Sequence, residues 1–280
     1  MPMKSIRLLI DKPAAGARNM AVDEALARTM VASGLSGGET GFLRFYKWTP
    51  ATLSFGYNQN IQRLLDPVEI KKSDFGFVRR MSGGKMVFHD DEWTFSLGIP
   101  REFLKKQGNR TFLEMFVASV KPIVSALQDL GLPARFSHSR EIKSVASNSV
   151  HCYASAAGHS IFLGNKKLIG AAGVARDSYL LVHGSIPINV SFPPDNLFLK
   201  KGRIDDGVNM AGLAEFLDAR QIENFPDTVS RKYSEEFKCT VIDSKLSAEE
   251  EAIAQSLFLM KYSDLNWKEN CANAEIAEFS

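Results

Sequence analysis

Phe77-Val78-Arg79-Arg80-Met81-Ser82-Gly83-Gly84-Lys85-Met86-Val87-Phe88-His89-Asp90-Asp91-Glu92-Trp93-Thr94-Phe95-Ser96-Leu97-Gly98-Ile99 reads as strand, tight turn, strand, strand. Phe77 and Val78 enter, Ser82-Gly83-Gly84 supply the turn, Met86 to Phe88 leave it, and Trp93 to Ile99 alternates large apolar with small or polar side chains. Two adjacent glycines let a backbone come close to a ligand, and their N–H groups can face outward as a site for an anion or a carbonyl. Arg79 and Arg80 fall on opposite faces of the incoming strand, so at most one of them faces that site. The plain alternative is an ordinary hairpin closed by Gly-Gly.

Upstream, Ile6 to Ile10 reads as a first strand, and Asn19 is placed to cap a helix running through Met20-Ala21-Val22-Asp23-Glu24-Ala25-Leu26 to about Ala32. Its early acids suit the positive end of the helix dipole. A Gly- and Ser-rich loop, 34–41, leads to two strands, Phe42 to Tyr46 and Ala51 to Tyr57, with a turn at Trp48-Thr49-Pro50. Ile61 to Lys72 is expected to be one helix.

Downstream, Thr111-x-x-Glu114 forms a capping box ahead of a long apolar helix to Leu127, in which Pro122 is expected to introduce a kink. Leu132 to Phe136 opens a polar loop through Ser149 whose Ser, Asn, Lys and Glu content suits a lid. His151 to Ala172 reads as loop, strand, a turn at Gly164-Asn165, and strand. That second strand carries Lys167 and then the small residues Gly170, Ala171, Ala172 and Gly173, over which a ligand can pack closely. Another strand starts at Tyr179 and includes His183-Gly184-Ser185. Helices are expected over Ala211 to Arg220, over Thr228 to Phe237, and after a capping box at Ser247 to Glu250. The chain divides into one domain, 1–265, and a loose tail, 266–280.

Composition narrows the function classes. A hydrophobic content of 45% with 24% charged residues is that of an ordinary globular protein, and a net charge of +2 gives no reason to invoke nucleic acid or an anionic membrane. No signal peptide and no apolar run near the ~20 residues of a membrane span is present, so a cytoplasmic location is expected. Cys152, Cys239 and Cys271, odd in number and widely spaced, suit reduced thiols better than disulfides, and the scattered histidines and acids lack metal-ligand spacing.

The motif Arg79-Arg80-x-Ser82-Gly83-Gly84-x-x-Val87-x-His89-Asp90 resembles the signature of the lipoate-protein ligase and octanoyltransferase family. Four further blocks resemble it in the same order: Asn19-Met20-Ala21-x-Asp23-Glu24-Ala25-Leu26; Leu43 to Gln59 with Tyr46, Trp48, Pro50, Ser54 and Gly56; Cys152 to Ala172; and Leu180 to Ile188. Lys261-Tyr262-Ser263 and Trp267 are similar to the C-terminal close of the transferase branch. The resemblance implies an α/β (α+β) domain, a mixed β-sheet packed by helices, of the biotin and lipoate protein ligase type. It implies Cys152 as an acyl-carrying nucleophile, because Cys152-Tyr153-Ala154-Ser155 is similar to the transferase branch where ligases carry Asn-Asp. It implies Lys167 at the acyl carbonyl, and Arg79, Ser82, Gly83, Gly84, His89, Gly170, Ala171, Ala172 and His183 as substrate-binding. No cofactor and no metal are expected. The implied acyl donor is octanoyl-acyl carrier protein and the implied acceptors are lipoyl-carrier proteins, namely the glycine cleavage H protein and the lipoyl domains of 2-oxoacid dehydrogenases. Lys85, Met86, Gly173 and Val182 depart from the commoner family residues. Three rivals stay open: an ATP-dependent lipoate-protein ligase using ATP and lipoate, an amidotransferase between carrier proteins, and a non-catalytic acyl- or carrier-binding relative.

Overall fold

In a computed structural model, described over residues 3–32, 40–137, 160–199, 209–264 and Trp267, the chain builds one large and one small sheet. The strands are β1 (Ser5–Ile10), β2 (Thr40–Tyr46), β3 (Thr52–Phe55), β4 (Gly76–Arg79), β5 (Val87–His89), β6 (Glu92–Pro100), β7 (Ala134–Phe136), β8 (Ile161–Leu163), β9 (Lys166–Ala175), β10 (Tyr179–Pro187) and β11 (Thr240–Asp243). The helices are α1 (Gly16–Ala32), α2 (Pro67–Lys72), α3 (Arg101–Lys106), α4 (Phe112–Asp129), α5 (Ala219–Glu223), α6 (Phe225–Phe237) and α7 (Ala248–Leu257), the last continued by a π-helical turn, Phe258–Tyr262. The large sheet runs β11-β1-β2-β6-β10-β9-β8-β7, parallel at its β11-β1-β2 end and antiparallel beyond; the small one runs β4-β3-β5. The expected mixed sheet packed by helices is what forms.

Strand periodicity sorts the sheet into two faces. Leu43, Phe45, Phe95, Leu97 and Val182 point to one side and join α4 and α6 residues, among them Phe116, Val120, Ile123, Phe225 and Tyr233, in the main core. The opposite face is floored by two rows across the strands. One row is Arg44, Ser96, His183 and Ala172; the next is Tyr46, Thr94, Ser185 and Gly170. Small and polar side chains on that floor leave room beneath α1, α7 and the small sheet.

The Gly-Gly stretch is not a hairpin turn. β4 pairs parallel with β3 and β5 pairs antiparallel with the other edge of β3, so Met81 to Met86 crosses the end of the central strand. Gly84 adopts φ +98°, and the carbonyl of Gly84 presses so closely on Gly56 that a Cβ there would lie 1.9 Å from it.

Several local expectations change. α1 begins at Gly16, and Asn19 sits inside it, where its side-chain amide donates to the carbonyls of Ala14 (3.2 Å) and Lys47 (3.1 Å) while its Oδ1 accepts from Arg44 (3.0 Å). Ile61 to Lys72 divides into a 3-10 turn and α2, because Asp66 caps a new helix whose first residue is Pro67. Ala211 to Arg220 similarly gives a 3-10 turn at Leu213–Glu215 before Asp218 caps α5. Ala134 to Phe136, expected to open a loop, is an edge strand, β7, and β11 had no expectation at all. As expected, α4 forms behind its Thr111-Glu114 capping box, with Pro122 inside it. Trp267, assigned to the tail, is buried against Tyr57 and Tyr262. The expected 34–41 loop, apart from Thr40 and Gly41, the polar loop beyond Ser137, and the rest of the tail lie outside the described residues. No helix among the described residues is long and apolar enough to cross a membrane.

Candidate active site

A cleft of about 350 Å³ opens between the sheet floor and the small sheet. Gly170, Ala171, Ala172, Gly184, Thr94, His183 and Ser185 supply the floor, while Met20, Trp48, Val87 and His89 make the walls and Arg80 reaches in from the end of β4. Its apolar walls with few polar groups match the usual composition of a small-molecule pocket.

The polar groups form one connected chain. Arg80 donates to the Oγ of Ser54 (2.6 Å) and to its carbonyl (2.9 Å), and its other arm holds the carbonyls of Gly83 (3.3 Å) and Lys85 (2.8 Å). Ser54 Oγ meets His89 Nε2 at 2.6 Å, and His89 Nδ1 meets Glu92 at 2.7 Å. Glu92 also accepts from Thr94 Oγ1 and, at 2.5 Å, from Ser185 Oγ. The Trp48 indole donates to Thr94 (2.7 Å) and stacks on the His89 ring at 4.0 Å. On the same face of the sheet, Arg44 donates to Asp23 (2.7 Å) and Asp11 (2.7 Å), and Tyr46, which also lines the cleft, donates to Asp23 (2.9 Å). Burial, and then the charge of Asp23, pushes the Tyr46 phenol well above its ordinary pKa, so Tyr46 keeps the proton it donates to Asp23.

His183 is held differently. Nε2 is hydrogen-bonded to Ser82 Oγ, while Nδ1 is buried without a hydrogen-bond partner among the described residues. Desolvation, with the charge of Arg80 second, lowers its pKa to about 3. An imidazole so weakly basic takes up a proton poorly near neutral pH, which argues for an orienting role over that of general base.

A family profile, the lipoyl protein ligase A/B catalytic domain, matches residues 15–234. The chain belongs to this lipoyl protein ligase A/B family. It is 31% identical over 263 residues to octanoyltransferase LipM of Carboxydothermus hydrogenoformans, covering 90% of this chain and 94% of the relative. It is 30% identical over 277 residues to octanoyltransferase LipM of Symbiobacterium thermophilum, with 93% and 97% covered. Among solved structures, a T. acidophilum protein with bound lipoic acid superposes with a TM-score of 0.75 at 26% identity, covering 95% of this chain and 99% of the other. Lipoate-protein ligase A bound with ATP gives a TM-score of 0.74 at 24% identity, with 96% and 100% covered, a likeness of fold.

Within this lipoyl protein ligase A/B domain the residues singled out from sequence fall into three groups. His89, Gly170, Ala171, Ala172 and His183 line the cleft together, and Ser82 touches it through His183. Gly83 and Gly84 form the crossing loop that Arg80 grips through the Gly83 carbonyl. Arg79 turns the other way: fully buried, it donates to the carbonyls of Gly56, Tyr57, Gln59 and Trp267, so the cleft's arginine is its neighbour Arg80. Cys152, with the flanking His151 and His159, lies outside the described residues.

Lys167 owes its direction to a bulge. Regular alternation from Ile169 would send it into the main core, yet the β8–β9 register shifts so that Lys167 pairs with Phe162 while Leu168 and Ile169 both enter the core. Lys167 is thereby carried, 1% exposed, to the sheet face that holds Gly170 and Ala172, beyond the cleft wall described above. Spacing could not reveal this, because one extra residue reverses the face. Glu92, Thr94 and Ser185 were also missed as partners of one another; their only sequence signal was polarity within otherwise apolar strands.

Among the described residues no group of three His, Cys, Asp or Glu side chains could hold a metal ion. Cys239 is part of the main core, its Sγ 3.8 Å from the Tyr233 carbonyl, and burial pushes its pKa to about 11. It is a packing residue, not a nucleophile.

Proposed function

We propose that the chain is an octanoyltransferase, moving an octanoyl group from acyl carrier protein to a specific lysine of a lipoyl-carrier protein. The observation that carries the reading is the match, across nine-tenths of the chain, to relatives named octanoyltransferase LipM. A narrow cleft with apolar walls and a glycine and alanine floor suits a straight acyl chain.

In this reading the Cys152 thiolate attacks the carrier thioester. A bond forms between Cys152 Sγ and the acyl carbon, the carrier C–S bond breaks, and the carrier thiol leaves with a proton. The amine of the acceptor lysine then attacks the enzyme thioester, the amide forms, and the Cys152 thiol is restored. Cys152 stands eight residues before Ser160, which precedes Ile161, the cross-strand partner of Ile169 beside the cleft wall at Gly170. The core thiol Cys239 is unsuited to the step, which leaves Cys152 and Cys271, and of these only Cys152 lies in a block that resembles the family. Lys167 and backbone N–H groups near Gly170 to Ala172 would stabilise the developing oxyanion, with each such donor worth about 3 to 4 kcal/mol.

The test mixes purified protein, octanoyl-acyl carrier protein and an unmodified lipoyl domain without nucleotide. Octanoyl amide on the domain is expected. Modification that requires ATP and free acid would replace this reading with the ligase, an octanoyl-H protein accepted where the acyl carrier protein is refused would replace it with the amidotransferase, and acyl binding without transfer by any donor would leave a binding protein.

A further inference from the structure

We infer that Glu92 is a positioning residue for acyl transfer, acting through His89 and Ser185 from behind the cleft wall. Glu92 is 2% exposed and does not line the cleft, yet His89, Thr94 and Ser185, which do, all bond to its carboxylate. The assignment of a role in transfer rests on the function proposed above; the hydrogen-bond pattern does not.

Following the protons fixes the pattern. A carboxylate only accepts, so the single hydroxyl protons of Thr94 and Ser185 and the Nδ1–H of His89 all point to Glu92. With Nδ1 protonated, the neutral ring presents a lone pair at Nε2, which takes the hydroxyl proton of Ser54, and Ser54 Oγ is left to accept from Arg80. Every donor in the run from Arg80 through Ser54 and His89 to Glu92 then has an acceptor. The reverse tautomer would set a lone pair of Nδ1 against the carboxylate and leave the Ser54 hydroxyl proton without one. Glu92 therefore sets the direction of the whole run, and the far end of that run is the arginine holding the carbonyls of Gly83 and Lys85. Thr94, with its proton committed, offers its lone pairs to Trp48, whose ring lies flat against His89. One carboxylate thus orients two cleft walls and the crossing loop.

His89 and Thr94 share Oε1 while Ser185 takes Oε2, so Glu92→Gln can keep its oxygen on the shared side, whereas Glu92→Leu removes both oxygens and strips all three donors of their acceptor. The expected result is a fall in kcat of about tenfold or more with little change in KM for octanoyl-acyl carrier protein, as found when groups that orient reacting residues are altered. The accompanying readout is the nitrogen NMR spectrum of the His89 ring: a single Nδ1–H tautomer in the parent, and in Glu92→Leu a shift towards Nε2–H. An Nε2–H tautomer in the parent overturns the inference even if the variant does not fold. So does a Glu92→Leu protein of full activity, or one that loses activity with the His89 tautomer unchanged. If the parent shows the Nδ1–H tautomer but transfers no octanoyl group, it is the functional reading that fails and not the run of hydrogen bonds.

Discussion

His183 shows how one side chain can be set by its surroundings more than by its motif. Its folded pKa of about 3 lies below the ordinary 6.5 because burial, then Arg80, disfavours the imidazolium. As the pH drops below about 6.5 the unfolded chain takes up a proton that the folded chain refuses, so stability contributed by the neutral ring is lost progressively towards pH 3, at up to about 1.4 kcal/mol per pH unit. Urea unfolding at pH 6.5 and 5.0 measures this. The parent is expected to lose more stability over that interval than His183→Gln; equal losses would show that His183 is not held neutral. The same paired environment explains why the sequence could nominate this histidine but not its role. A His-Gly-Ser stretch ending a strand is visible in the chain, whereas the Ser82 contact joins residues 101 positions apart and the desolvation comes from elements that no local pattern brings together.

At the scale of elements, the crossing loop and β3 depend on a close approach of two backbones. Gly56 leaves the space that the Gly84 carbonyl occupies. Gly56→Ala is therefore expected to push the Ser82–Gly84 loop off the end of β3, costing about 1 to 3 kcal/mol, the usual range for overpacking, and disturbing the Ser82–His183 contact. Thermal unfolding alongside the transfer assay checks this; unchanged stability and unchanged activity would contradict the fit. The glycines were legible as a place of close approach, but their partner was not. Hairpin geometry is the simplest reading of strand, Gly-Gly, strand, and only the insertion of β3 between β4 and β5 makes it a crossing. Elements with strong local signals, such as α4 with its capping box or the β8–β9 turn at Gly164, formed as expected. Those lacking a local signal were missed: β7 and β11 are short edge strands whose pairing is decided by their neighbours, and the Lys167 bulge is invisible to alternation.

Over the described residues, α1 and the segment from α7 to Trp267 converge on the machinery of the cleft. α1 contributes Met20 to the wall and Asp23 to the Arg44 cluster, and its Glu24 is met by Lys261 (3.1 Å) and Tyr262 from the π-helical turn. Trp267 and Arg79 exchange hydrogen bonds, Arg79 Nε to the Trp267 carbonyl (2.9 Å) and the indole N–H to the Arg79 carbonyl (3.2 Å). Through the same guanidinium, Arg79 fixes the carbonyls of Gly56, Tyr57 and Gln59, against which the crossing loop rests. The paired arginines of the motif thus divide the work, Arg79 fastening the C-terminal segment to β3 and Arg80 facing the cleft. These ties hold the walls of the cleft in place, and what the proposed reaction must add is a thiol that carries the acyl group. Intact mass after mixing the protein with octanoyl-acyl carrier protein, without nucleotide, tests that claim most directly. The account predicts a gain of one octanoyl group on the parent and on Cys239→Ala, and none on Cys152→Ser. An octanoyl adduct that persists in Cys152→Ser, or transfer by that variant at the parent's rate, would contradict it.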